Sequence, residues 1–302
     1  MRQRKKFKLR LPAVAGLPSR MLVLGERTLV MGVLNVTPDS FSDGGRFFDA
    51  DAAVARALEL ERAGADLLDI GGESTRPGAE AISASEEMRR VLPVLEKLRG
   101  RLKIPVSIDT SKPEVAEAAI FQGAEMINDV TGLRAGPHLA EIAAKRGLPL
   151  ILMHMRGEPR TMQKRPFARD VLRDVTQSLR KAAAVARRAG VAKSQIVLDP
   201  GIGFGKSAGQ SYELLQKLAD LARLGYPLLV GTSRKSFLAK APGAAPDADR
   251  IWGTAATVTA AILAGAHIVR VHDVAEMVQV ARVADAIANP RTVASAQSTK
   301  AR

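Results

Sequence analysis

Short runs of consecutive apolar residues alternate along the chain with longer stretches in which apolar positions recur three and four apart. The first pattern suits strands buried on both faces, and the second suits helices with one buried stripe. Strands are predicted at 29–34, 66–70, 105–109, 124–128, 148–153, 195–199, 226–230 and 266–271. Between them the periodicity predicts helices at 50–63, 83–99, 113–122, 138–145, 168–189, 249–264 and 274–288. Punctuation agrees. Asp49 is placed to cap the first helix and Gly64 to end it, and Ser83 and Glu86 have capping-box spacing. Pro113 opens a helix that Gly123 stops, and Pro93 is expected to kink the helix it interrupts. Residues 21–34 form two short apolar runs around Gly25-Glu26, read as a hairpin feeding the first core strand. Eight buried strands alternating with helices predict an α/β fold, a (β/α)8 TIM barrel with a short N-terminal β-hairpin. A doubly wound open sheet shares the alternation, but it usually has fewer strands and a dinucleotide-type first turn.

Composition narrows the class. With 46% hydrophobic and 25% charged residues, the 302-residue chain can bury a full core. It reads as one barrel domain over 21–302 behind a basic extension over 1–20. No apolar run approaches the roughly 18 residues of a membrane span, and the first residues lack a secretory signal's apolar region, so a cytoplasmic protein is expected. The absence of cysteine excludes disulfides, thiolate metal sites and a cysteine nucleophile. A net charge of +14 raises nucleic acid as a partner. Its distribution argues against that role, because seven Lys and Arg crowd the first twenty residues without an acid, and aromatics, at 4%, offer few stacking platforms. The extension is read as a solvated tail, with weak transit or anion binding as the other reading.

The unusual polar residues come at the carboxyl ends of the predicted strands: Asn35, Glu73 to Arg76, Asp109, Asn128, Met153-His154, Asp199, Ser233 with Lys235, and Arg270 with His272. In a closed barrel those ends meet at one mouth, where barrel enzymes keep their active sites. Singly, several have a structural explanation: Asp199 before Pro200 suits a turn, and Asn128-Asp129 suits a helix cap. The stretch QIVLDPGIGFGKS, 195–207, nearly matches a phosphate loop, but three residues separate Gly201 from Gly205 where four are needed. No HExxH pair, no histidine–carboxylate cluster at metal-ligand spacing and no nucleophile elbow is present. Recognition and electrostatics remain. Asp109, Asn128, Asp199 and Lys235 can hydrogen-bond a flat heterocycle, with Phe204 and Met153 as apolar contacts, while Arg270, His272 and Asn35 can hold an anion.

In register with these strand ends stand NVTPDSFSDGG from Asn35, GGESTRPG from Gly71, SIDTSKP from Ser107, INDVTG from Ile127, LMHMRG from Leu152, DPGIGFGKS from Asp199, GTSRKSF from Gly231 and RVHDV from Arg270. On these motifs the chain from Val30 onward closely resembles the dihydropteroate synthase family, the pterin-binding barrels of folate biosynthesis. The resemblance implies condensation of 6-hydroxymethyl-7,8-dihydropterin diphosphate with para-aminobenzoate, giving 7,8-dihydropteroate and pyrophosphate. It implies that Asp109, Asn128, Met153, Asp199, Phe204 and Lys235 hold the pterin. Asp109, Lys235 and Asp43 would carry catalysis, with Asp109 stabilising a pterin cation. Asn35, Arg270 and His272 would hold the diphosphate, Asn35 also helping to place Mg²⁺. Phe41, Thr75, Arg76 and Pro77 would meet the aminobenzoate on loops after the first two strands that close to exclude water, and Ser233 would reach the same side. Sulfonamides would compete there. The family also implies a homodimer, for which the small-residue helix near 255–264 offers a face. A pterin-binding methyltransferase acting between methyltetrahydrofolate and a corrinoid shares the barrel and part of the pterin pocket, but it has no need for the STRP loop or the RVH segment.

Overall fold

The computed structural model describes residues 4–37, 50–76, 78–158, 161–162, 168–243 and 250–291. In chain order the strands are β1 (Phe7–Leu11), β2 (Arg20–Leu24), β3 (Leu29–Asn35), β4 (Leu67–Gly71), β5 (Val106–Asp109), β6 (Met126–Asp129), β7 (Leu150–Met153), β8 (Ile196–Asp199), β9 (Leu229–Val230) and β10 (Ile268–Val271). The helices are α1 (Ala50–Arg62), α2 (Ala84–Leu98), α3 (Pro113–Phe121), α4 (His138–Arg146), α5 (Val171–Arg188), α6 (Ala208–Gln216), α7 (Leu218–Leu221), α8 (Arg250–Leu263) and α9 (Val274–Ala288). Ser83 caps α2, accepting the Glu86 N–H at 3.2 Å, and α2 runs through Pro93 as one element. The Asp49 cap predicted for α1 lies outside the described residues.

Strands β3 to β10 form one parallel sheet in the order β8-β7-β6-β5-β4-β3-β10-β9. A parallel bridge between Leu198 and Leu228 joins its two ends, so the sheet closes into the predicted barrel. Successive strand residues point to opposite faces, which gives two cores. Leu68, Ile70, Ile108, Ile127, Leu150, Leu198 and Val269 pack outward against the helices. Met31, Leu67, Met126, Ile151, Val197, Leu229 and Ile268 fill the barrel itself.

The hairpin differs from the prediction. Arg20–Leu24 pairs antiparallel with Phe7–Leu11, in the register Leu9↔Leu22, and not with 29–34, whose edges are taken by β4 and β10. Leu9, Leu11 and Leu24 are fully buried beneath the inner core and stopper the barrel's amino-terminal end. From Arg4 onward the basic segment is therefore no solvated tail. Arg4 donates to Asp285 and Thr28 at 3.0 Å each, Arg20 grips Glu125 at 2.6 and 3.0 Å, and the Gln195 side chain bonds both the N–H and the carbonyl of Arg10. The alternation of Phe7, Leu9 and Leu11 carried this information, but the intervening positive charges masked it.

At the other end the inward columns change character within one step of two residues. Leu67 is followed by Asp69, Met126 by Asn128, Val197 by Asp199 and Ile268 by Arg270, while Ile151 is followed by the apolar Met153. An apolar layer thus becomes the floor of a polar cup.

Candidate active site

At the centre of that cup one guanidinium serves two acids. Arg270 Nε donates to Asp69 Oδ2 at 2.6 Å, and Nη2 donates to Asp109 Oδ2 at 2.9 Å. Asn128 Nδ2 also donates to Asp69 Oδ2, at 2.9 Å. Burial, and then the Asp69 carboxylate, push the Asp109 carboxyl well above the usual range, against the pull of Arg270. Asp129, the next residue, is spent on its own turn, accepting from Thr131 N–H and hydroxyl and from Leu133 N–H.

Asp199, at the end of β8, accepts the Gly201 N–H at 2.7 Å, and burial raises its carboxyl while Lys235 opposes the rise. Lys235 Nζ donates to the Ile202 carbonyl and lies 4.2 Å from the centre of the Phe204 ring. Burial pulls its pKa down to about 7, only partly offset by Asp199. Phe204 leans on a buried apolar group of Val130, Met153, Met155 and Met162, which gives the cup one greasy wall.

The glycines between Asp199 and Lys206 have a steric reason. A Cβ on Gly201 would come 1.9 Å from the His154 carbonyl oxygen, and one on Gly205 would come 2.1 Å from that of Arg156; both residues have left-handed φ. The loop is pressed onto the segment after β7. Lys206, the lysine of the phosphate-loop near-match, turns into it and donates to the carbonyls of Gly201, Phe204 and His154 at 2.7, 3.0 and 3.3 Å. It also meets His154 Nδ1 at 2.8 Å.

On the rim, the His272 N–H donates to Ser233 Oγ at 3.1 Å, and the same hydroxyl lies 3.0 Å from His272 Nδ1. With Oγ accepting from the N–H, its proton is free for Nδ1, which leaves Nε2–H as the ring's outward donor. Burial and the neighbouring Arg270 lower His272 to about 4. Asn35 ends β3 half-buried, in register with Gly71. Thr75 is half-buried and Arg76 exposed on the loop after β4. Phe41, Asp43 and Pro77 lie outside the described residues.

Sequence reasoning passed over two groups. Asp69 sits within the apolar run of β4, and a charge on a strand buried on both sides signals a partner. Glu87, fully buried, shares α2's apolar stripe with Val91 and Leu95. Lys112 joins Glu87 to Glu73, at 2.5 and 2.6 Å, and so ties the start of the loop after β4 to two helices.

Residues 31–272 match the family described as pterin binding enzyme. A dihydropteroate synthase of Synechocystis is 49% identical over 263 residues, 87% of this chain and 91% of the relative. The structure of Xanthomonas albilineans dihydropteroate synthase with 4-aminobenzoic acid superposes with a TM-score of 0.83 at 44% identity, covering 93% of this chain and 99% of that one. A Yersinia pestis dihydropteroate synthase in a sulfonamide drug complex gives a TM-score of 0.82 at 43% identity, covering 92% and 98%.

Proposed function

The chain belongs to the dihydropteroate synthase family of pterin-binding enzymes, which makes it a transferase, and we propose that its cup joins 6-hydroxymethyl-7,8-dihydropterin diphosphate to para-aminobenzoate. The exocyclic carbon–oxygen bond breaks and diphosphate leaves with the electron pair. The aminobenzoate nitrogen forms the new carbon–nitrogen bond and gives up a proton to the medium. The observation that carries this reading is the floor itself, where Asp109, Asn128 and Asp199 present acceptors beside the half-buried Lys235 and one apolar wall.

A pterin has an N–H-rich edge for those acceptors, a carbonyl for Lys235, and faces that suit Met153 and Phe204. As the diphosphate departs, positive charge grows on the pterin, and Asp109 stabilises it from a fixed position. Arg270 balances Asp109 and Asp69 and, with His272 at the rim, holds the diphosphate. Neutral His272 does so as an N–H donor rather than as a charge. Mg²⁺ needs only one or two protein oxygens beside substrate phosphates, and the amide oxygen of Asn35 at the carboxyl end of β3 meets that modest demand. Bound there, the ion would supply charge neutralisation to the leaving diphosphate. Thr75, Arg76 and Ser233, with Phe41, Asp43 and Pro77, form the acceptor side, where a sulfonamide competes with the aminobenzoate.

No helix among the described residues is long and apolar enough to cross a membrane, and we place the protein in the cytoplasm. Val258, Ala261 and Ile262 of α8 face the core, whereas Trp252, Ala256 and Ala260 form an exposed stripe that a second copy would cover in a homodimer. The deciding experiment incubates purified protein with the pterin diphosphate, Mg²⁺ and labelled aminobenzoate. Labelled dihydropteroate is expected, and its absence at every salt concentration overturns the proposal.

A further inference from the structure

We infer that Asp69 is a positioning residue that fixes Asn128 as a hydrogen-bond acceptor toward the bound heterocycle, an inference that rests on the pterin-pocket reading above. Asp69 is the third residue of β4, fully buried, and stands one pleat below the strand ends that form the cup. Its Oδ2 receives Arg270 Nε at 2.6 Å and Asn128 Nδ2 at 2.9 Å.

A side-chain amide is a donor at one end and an acceptor at the other, and rotation by half a turn exchanges them. The partner decides which end faces it. A guanidinium can only donate, so the oxygen it holds is an acceptor, and Asn128 must offer that oxygen its NH₂. The Asn128 carbonyl oxygen is thereby turned to the remaining side. Asp109 and Asp199 present carboxylate oxygens to the same cup, so Asp69 completes a set in which the two acids and the amide all accept. That set is the complement of a pterin's 2-amino and ring N–H groups.

Packing alone does not call for an acid at this position. Asp69 Oδ1 is buried with no hydrogen-bond partner among the described residues, an arrangement that costs stability and that an apolar side chain would avoid. The acid has two partners to account for it, neutralising Arg270 and setting the direction of a neighbouring amide.

The test is a double-mutant cycle with Asp69→Asn, Asn128→Ala and the combined variant, reading the affinity for 6-hydroxymethylpterin by calorimetry. Asp69→Asn replaces an obligate acceptor with an amide that pairs with Asn128 in either orientation. It is expected to weaken binding roughly tenfold or more in the native background and by less than about threefold once Asn128 is gone. A loss of equal size in both backgrounds, or none in the native one, overturns the role. If Asp69→Asn does not fold, the exchanged pair Asp69→Asn/Asn128→Asp keeps one acid facing one amide and is expected to bind within about tenfold of the native protein. A folded exchanged pair that does not bind the pterin counts against the inference. Failure of the native protein to bind 6-hydroxymethylpterin sinks the pocket reading itself, whereas native binding without coupling sinks only the role of Asp69.

Discussion

Two adjacent residues of β1 test whether the basic amino-terminal segment is structural. Leu9 is wholly buried beneath the barrel, and Lys8 is exposed on the other face of the same strand. Leu9→Ala removes a side chain from a layer whose walls are strands locked in hydrogen-bonded ladders, so the space left cannot collapse. Costs of ~2–5 kcal/mol are typical of such a change, and the rigid surroundings place this one at ~3–4 kcal/mol. Lys8→Ala breaks no buried contact and should stay within ~0.5 kcal/mol. At ~2–4 °C per kcal/mol for a large domain, the Leu9 variant melts roughly 6–16 °C below the native protein. Thermal and urea denaturation followed by circular dichroism measure both, with turnover at 20 °C normalised to folded protein as the companion assay. That turnover should be unchanged, because the stopper lies at the end opposite the mouth. Equal shifts for the two variants, or a Leu9→Ala cost under ~1 kcal/mol, refute the plugged-barrel account.

Lys235→Met should abolish most pterin affinity while raising the melting temperature, since the fold no longer buries an ammonium; calorimetry and melting together check the opposed signs. The native lysine carries a pH signature of the same kind. Its folded value of about 7 lies below the ordinary 10.5, so its contribution to stability grows as pH rises from about 7 toward 10.5, while pterin affinity falls through the same window. His272, lowered to about 4, should show no titration between pH 5.5 and 8 by NMR, and a midpoint above 6 in the free protein contradicts its role as a neutral donor. Lys112→Met leaves Glu87 buried without its cation and leaves Glu73 held, among the described residues, only through the Ile82 N–H, so KM for aminobenzoate should rise severalfold with pterin affinity unchanged; a parallel loss of both would place Lys112 elsewhere in the machinery.

What the sequence made legible follows from which physical signals are local. Strand residues buried on both faces announce themselves as apolar runs, and polar groups immediately after them pointed to Asp109, Asn128, Asp199, Lys235 and Arg270 before any contact was known. The partnership of Arg270 with Asp69 was not readable in this way. It joins residues 201 apart in sequence, and only barrel closure brings β4 and β10 to opposite sides of β3. Lys206 illustrates the converse. Its GKS context nearly matched a phosphate loop and the glycine spacing argued against one, but where the lysine goes instead was not legible: left-handed glycines at 201 and 205 fold the loop back so that its own carbonyls claim it.

The stopper also bears on the order in which the molecule can be completed. Arg4 bonds Asp285 across 281 positions of chain, and the inner core that receives Leu9 and Leu11 is finished only when β10 docks. A ribosome delivers residues 7–24 long before their seat exists, so during synthesis this two-stranded ribbon waits with an apolar face and open edges. Its closure is among the contacts of longest sequence separation, the kind that form late and slow folding. On the finished ribbon Lys8 and Arg10 face solvent, so the strands that close last carry their charge on the side away from the barrel.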